Sequence, residues 1–223
     1  MFIEEAGWLR DNILSLNTEA LFPLLNIGSG TLEWRKNCQP HVYNLLFKDL
    51  EAKGDVVHLD IVEGEGVDIV GDLNDKDFLE RLRKNKFKSI ICSNLLEHVE
   101  NKDRIANAII NILEPSGYLI ASVPYRYPYH YAPVDNMYRP DIESLARLFH
   151  STKLLKGEIV SSGLTYFDKL KNDRKLAGIV VLRSFLPFYK PKMWWNTVHY
   201  FPNLFRKFQT TCVILQKKPN EQK

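Results

Sequence analysis

Five short apolar runs, at 24–27, 56–59, 67–70, 89–93 and 118–123, are strand-length and rich in Val, Ile and Leu. Longer stretches with helical spacing, at 42–52, 77–85 and 104–113, lie between them. A strand that is apolar along its whole length must be covered on both faces, which a parallel sheet between two layers of helices provides. The pattern predicts an α/β, doubly wound, Rossmann-like fold. A Pro- and Tyr-rich loop over 124–140, a helix over 142–150, a strand around 158–161 and a last strand over 211–216 complete the reading. The 223 residues suit one domain over 1–223, with the segment 163–209 inserted before the last strand.

Charge separates that insertion from the rest. Residues 1–162 carry 18 basic and 24 acidic side chains, whereas 163–209 carry 9 basic and 2 acidic ones and 11 of the 26 aromatic residues. The net charge of +3 is too close to balance for a nucleic-acid binder. Three widely spaced cysteines, Cys38, Cys92 and Cys212, form no CxxC pair and suit a reducing compartment. The N-terminal segment has early glutamates in place of a basic-then-apolar leader, so a cytoplasmic protein is the expectation. The last residues, 217–223, read as a disordered tail.

In doubly wound sheets, ligands bind outside the carboxyl ends of the strands. The first run ends in Asn26-Ile27-Gly28-Ser29-Gly30, a turn in which glycines permit positive φ and close approach of backbone to ligand. A dinucleotide fingerprint would place glycine where Glu33 stands, and a carboxylate there opposes a pyrophosphate, so NAD is disfavoured. No Gly-Lys-Ser/Thr follows, which excludes a P-loop. Asp60, at the end of the second run, suits the two hydroxyls of a ribose. Asp72, at the end of the third, suits an adenine amino group. Either could equally be a turn acid.

Taken in order, Asn26-Ile-Gly-Ser-Gly, Asp60, Gly71-Asp72-Leu73, Cys92-Ser-Asn-Leu-Leu-Glu97-His98-Val99 and the Leu113-Glu-Pro-Ser-Gly-Tyr-Leu-Ile passage resemble the class I S-adenosylmethionine-dependent methyltransferases over about residues 20–162. The resemblance implies a seven-stranded, mostly parallel sheet with an antiparallel last strand. It further implies S-adenosylmethionine held by Asn26, Gly28, Ser29, Gly30, Asp60, Ile61, Asp72, Leu73 and Asn94. Asn26 stands where the family usually has an acid, Leu32 where it has a third glycine, and Lys88-Ser89 where it often has Asp. Those departures motivate the alternative of a non-catalytic binding or scaffold protein.

The acceptor is expected under the loop after the fifth run. The string His130, Pro133-Val-Asp135, Tyr138-Arg139 resembles a subgroup that modifies sugars or cell-surface glycans. His130 is the candidate base for a hydroxyl or amine of a small molecule, sugar or glycan, with Asp135 orienting it. The other reading is that the pair only pins the loop. Tyr125, Tyr127, Tyr129 and Tyr131 are candidates for an aromatic wall, and Arg126 and Arg139 for an anionic group on the acceptor. His98 reads as structural, and no cluster with metal-ligand character stands out in the sequence. The segment 185–208 mixes rings with Lys and Arg, which suits a lid, a face between copies of the chain, or a peripheral membrane contact.

Overall fold

The computed structural model describes residues 1–130 and 134–219. Helix α1 (Ile3–Leu14) precedes β1 (Leu24–Ile27). A bent helical passage follows, made of a wide π turn (Trp34–Cys38), α2 (Pro40–Val42), a second π turn (Tyr43–Phe47) and α3 (Lys48–Glu51). Next come β2 (Val56–Asp60), β3 (Ile69–Val70), α4 (Lys76–Arg83), β4 (Ser89–Ser93), α5 (Lys102–Ile112) and β5 (Tyr118–Arg126). The chain ends with α6 (Ile142–Leu148), β6 (Thr152–Thr165), α7 (Tyr166–Asn172), α8 (Arg174–Ser184), α9 (Pro191–His199) and β7 (Lys207–Lys217).

The seven strands form one sheet in the order β3-β2-β1-β4-β5-β7-β6. Strands β1 to β5 pair in parallel, and β7 runs antiparallel to both β5 and β6. The order reverses at β1/β4, which is where such sheets open a crevice for ligands. Successive strand residues face opposite layers, and the core divides accordingly. Leu25, Ile27, Ile90, Cys92, Leu119 and Ala121 pack with α4, α5 and α6, while Leu24, Ile91 and Ile120 pack with α1 and the bent passage. Each such buried Leu or Ile side chain contributes about 1.5–3 kcal/mol.

Side-chain caps set where the helices begin. Asp75 accepts from the N–H groups of Asp77 and Phe78, Asn101 from Arg104, and Asp141 from Ser144. The expected helix over 42–52 is one part of the longer bent passage. Pro40 has no N–H for a regular helical bond, and Gln39 N–H reaches back five residues to the Trp34 carbonyl at 2.9 Å. The fifth strand extends three residues beyond the expected end at 123, because Pro124 and Arg126 stay registered against Thr210 and Gln209 of β7. The strand expected around 158–161 is also longer, since β6 keeps pairing with β7 across two bulges.

Helix α1 was not expected. It carries a readable signal, because Ala6, Leu9 and Ile13 recur at helical spacing and all three are buried. The insertion folds as α7, α8 and α9 between β6 and β7. Its Tyr166 and Val180 pack with Phe208 of β7 against Phe2 and Tyr127. Among the described residues, no helix is long and apolar enough to cross a membrane.

Candidate functional site

A cavity of about 1350 Å³ opens at the carboxyl ends of the strands. Asn26, Gly28, Ser29, Gly30, Asp60, Ile61, Asp72, Leu73 and Asn94 all line it. Gly28 and Gly30 have φ of 69° and 61°, the left-handed conformation that the tight turn requires. Asp60 holds this turn in place. Its Oδ2 accepts the Gly30 N–H at 2.8 Å and its Oδ1 the Val62 N–H at 3.1 Å. Each carboxylate oxygen has a second lone pair, so capacity for hydroxyl donors remains. Asp72 Oδ1 accepts from the backbone and side chain of Asn74, at 2.8 and 3.0 Å, as a turn acid does.

Asn26 is buried and its Nδ2 lies 3.1 Å from Nδ1 of His58, whose Nε2 lies 3.2 Å from Glu51. Burial pulls the His58 pKa below its ordinary value, and the nearby Arg35 charge adds to that. Asn26 therefore orients the end of β1 through a neutral imidazole, where the usual family acid would bring charge.

Two groups unforeseen in the sequence hold the glycine-turn end of the cavity together. Arg35, on the inner side of the first π turn, is 1% exposed. Its guanidinium donates to the carbonyls of Ser29 (3.3 Å), Gly30 (2.6 Å) and Gly66 (2.8 Å). Burial lowers its pKa, and Glu51, Asp68 and Asp60 act in the opposite direction. No motif marks it, since the three carbonyls come from backbone that any residue supplies. Glu5 on α1 is the other. Its Oε1 accepts from Asn94 Nδ2 and Ser122 Oγ, both at 2.7 Å, so α1 is tied to the residue after β4 and to the middle of β5. Asn94, at φ 50°, is thereby held in a conformation uncommon outside glycine.

At the other end of the cavity lie Glu97, His98, Tyr127 and His130. Asp135 sits beneath them, its side chain fully buried. It accepts the His130 N–H (3.1 Å), the Met137 N–H (2.8 Å) and Arg139 Nη2 (2.6 Å). His130 Nδ1 lies 3.0 Å from the same Oδ2 but off the line of a good hydrogen bond, so the contact is mainly electrostatic. Burial pushes the Asp135 carboxyl up, but His130, Arg139 and the two N–H groups outweigh it and keep it well below the usual carboxylate range. Asp135 thus pins the loop and also faces the imidazole. Arg139 is spent on Asp135 and on the Tyr127 and Tyr138 carbonyls, and it does not line the cavity.

Of the aromatic candidates, Tyr127 lines the cavity, edge-on to His130 at 5.2 Å and with its OH 2.9 Å from Lys169 Nζ. Tyr125, Arg126 and Tyr129 do not line it. The cause for Tyr125 and Arg126 is the longer β5, which keeps them in the sheet. Tyr131 and Pro133 lie outside the described residues.

Although the sequence displays no metal-ligand cluster, the fold brings together, among the described residues, a group of candidate ligands, Glu97, His98 and His130. Burial raises the Glu97 carboxyl to about 7 and lowers the His98 imidazole below its ordinary value.

Residues 6–156 match a family model described as a methyltransferase domain. The chain belongs to that family. Its methyl donor is S-adenosylmethionine, and this chain is a methyltransferase of the class I, Rossmann-like kind. No curated protein matches it in sequence. Among solved structures, it is similar to an assigned sarcosine dimethylglycine methyltransferase from Galdieria sulphuraria, at 13% identity and TM-score 0.59, over 96% of this chain and 84% of that one. The [4+2]-cyclase SpnF is similar at 15% identity and TM-score 0.52, over 88% and 74%. Coclaurine N-methyltransferase bound to N-methylheliamine and S-adenosylhomocysteine is similar at 13% identity and TM-score 0.50, over 87% and 65%. At these identities the likeness is one of fold.

Proposed function

We propose that the methyltransferase moves the methyl group of S-adenosylmethionine to a hydroxyl or amine of a small polar molecule, with sugars and glycans among the acceptors that fit. The observation that carries this reading is the continuity of the cavity from the Gly28–Gly30 turn to His130. Its volume of about 1350 Å³ exceeds the roughly 300–1,000 Å³ that one small ligand occupies. The cavity therefore has room for a donor and an acceptor together. Asp60 holds the ribose, Asp72 the adenine edge, and Ser29 and Asn94 flank the amino-acid portion.

In the transfer, an acceptor lone pair forms the new bond to the methyl carbon. The carbon–sulfur bond breaks with its electrons returning to sulfur, and S-adenosylhomocysteine leaves. The acceptor sheds one proton, for which His130 at the acceptor end is placed, with Tyr127 lining the cavity beside it. Alignment supplies most of the acceleration, because the sulfonium already activates the carbon. Three unpaired thiols support work in a reducing compartment such as the cytoplasm.

Calorimetric titration with S-adenosylhomocysteine tests the donor site. Binding by the wild type is expected to weaken by about 1–3 kcal/mol in Asp60→Ala, which loses the acceptor of two ribose hydroxyls. A folded wild type that binds none would sink the reading.

A second reading concerns where the acceptor resides. The turn between α8 and α9 leaves Phe185, Phe188 and Tyr189 at 78%, 96% and 68% exposed, next to the exposed Lys190 and the half-buried-to-exposed run of α9. Rings of this kind beside lysines suit an anionic lipid surface. The chain is expected to sediment with vesicles containing phosphatidylserine, and Phe188→Ser combined with Lys190→Glu to release it. Equal sedimentation with neutral and anionic vesicles would remove this reading.

A further inference from the structure

The two imidazoles at the acceptor end meet nitrogen to nitrogen. His98 Nε2 and His130 Nε2 are 3.4 Å apart, with the rings at 89°. His98 Nδ1 contacts the Val134 carbonyl, which can only accept, so Nδ1 carries the proton and Nε2 the lone pair of the neutral ring. His130 Nδ1 lies 3.0 Å from the buried Asp135 carboxylate, whose charge favours the ring proton on that nitrogen although the two are not aligned as a hydrogen bond. Two lone pairs then point at each other, an arrangement that calls for a cation between them. Glu97 Oε1 lies 3.8 Å from His98 Nε2, and the ligand atoms of all three residues fall within 4.8 Å of one another. Glu97 is 1% exposed, and its Oε2 has no hydrogen-bond partner among the described residues.

We propose that Glu97, His98 and His130 bind a divalent first-row transition ion at the acceptor end of the cavity, leaving coordination positions open for a hydroxyl oxygen of the acceptor. This deepens the methyltransferase reading and rests on it. Two nitrogens bound tetrahedrally at about 2.0–2.1 Å stand about 3.4 Å apart, the separation found here. The terminal torsion of Glu97 is soft, which lets its carboxylate turn toward the two nitrogens. The supporting groups also match a metal centre, in which each ligating histidine gives its other N–H to a carbonyl or carboxylate. The Val134 carbonyl fills that role for His98, and the Asp135 carboxylate stands 3.0 Å from His130 Nδ1 as an electrostatic partner. Because Arg139 offsets Asp135, Glu97 supplies the charge that meets the ion. A bound hydroxyl would lose its proton more readily, to water in the open cavity, because His130 would act as a ligand while the ion is present. A proton shared by the two histidines would account for their distance but not for the orphaned Glu97 oxygen.

Co²⁺ is the probe, added to protein freed of metal by a chelator and followed by visible absorption and calorimetry. One ion per chain is expected, with the spectrum of four or five nitrogen and oxygen ligands. Glu97→Gln, His98→Gln and His130→Gln should each weaken it by at least about tenfold, while Cys38→Ser leaves it unchanged. Circular dichroism and S-adenosylhomocysteine binding check that each variant is folded, and His130→Gln decides if a buried variant is not. Absence of one-to-one binding, affinity indifferent to all three variants, or thiolate absorption lost in Cys38→Ser would each overturn the ion site. Intact S-adenosylhomocysteine binding beside any of these outcomes leaves the methyltransferase reading standing. Failure of the wild type to bind S-adenosylhomocysteine overturns that reading by itself.

Discussion

Replacing His130 with glutamine is expected to lower kcat by about 10²–10⁴-fold, the usual worth of a positioned proton acceptor, while S-adenosylhomocysteine affinity changes by less than about twofold. The separation follows from the shape of the site. His130 lines the cavity beside Tyr127 and His98, whereas the donor turn is held by Asp60 and Arg35. Glutamine keeps a polar group of similar reach but offers no basic nitrogen, either to take a proton or to bind an ion as an imidazole does. The loop should survive, because Asp135 still accepts from Met137 and Arg139. Single-turnover methyl transfer, once an acceptor is found, together with calorimetry on the same variant, reads both quantities. A kcat within threefold of wild type would remove His130 from the chemistry and leave it as a loop anchor.

The largest loss of stability is expected from Arg35→Leu, about 3–5 kcal/mol in urea unfolding, the scale for breaking a buried charged network. Leucine fills the apolar part of the space but leaves the carbonyls of Ser29, Gly30 and Gly66 without the donors that now reach them at 3.3, 2.6 and 2.8 Å. It also leaves Glu51, Asp68 and Asp60 without the positive charge they face. Arg35→Lys should recover part of the stability and little of the geometry, because an ammonium cannot reproduce the planar fork that spans two segments of backbone. Since Gly30 forms the donor turn, S-adenosylhomocysteine binding should fall in both variants. A loss under 1 kcal/mol with unchanged binding would show that the turn holds itself.

The layered sheet was legible because strands buried on both faces leave continuous apolar runs. Leu24–Ile27 and Ser89–Ser93 begin and end where the sequence places them. That the candidate residues converge on one cavity was legible for a related reason. Doubly wound topology puts the ends of β1, β2, β3 and β4 on one edge of the sheet, so residues after each run must approach one another. The loop after β5 was harder to read. The length of β5 depends on pairing with β7, some 90 residues later, and no local pattern states where that pairing stops.

The sequence by itself determined the fold class, the family and the polar residues that ring the donor end. These follow from periodicity and short motifs, which are local. Tertiary structure alone decided that Arg35 and Glu5 brace the site, that Tyr127 lines the cavity while Tyr125 and Tyr129 do not, and that His98 meets His130. His98 and His130 stand 32 positions apart, on segments that follow neighbouring strands. Their meeting is a product of strand order and loop path, and a linear pattern carries neither.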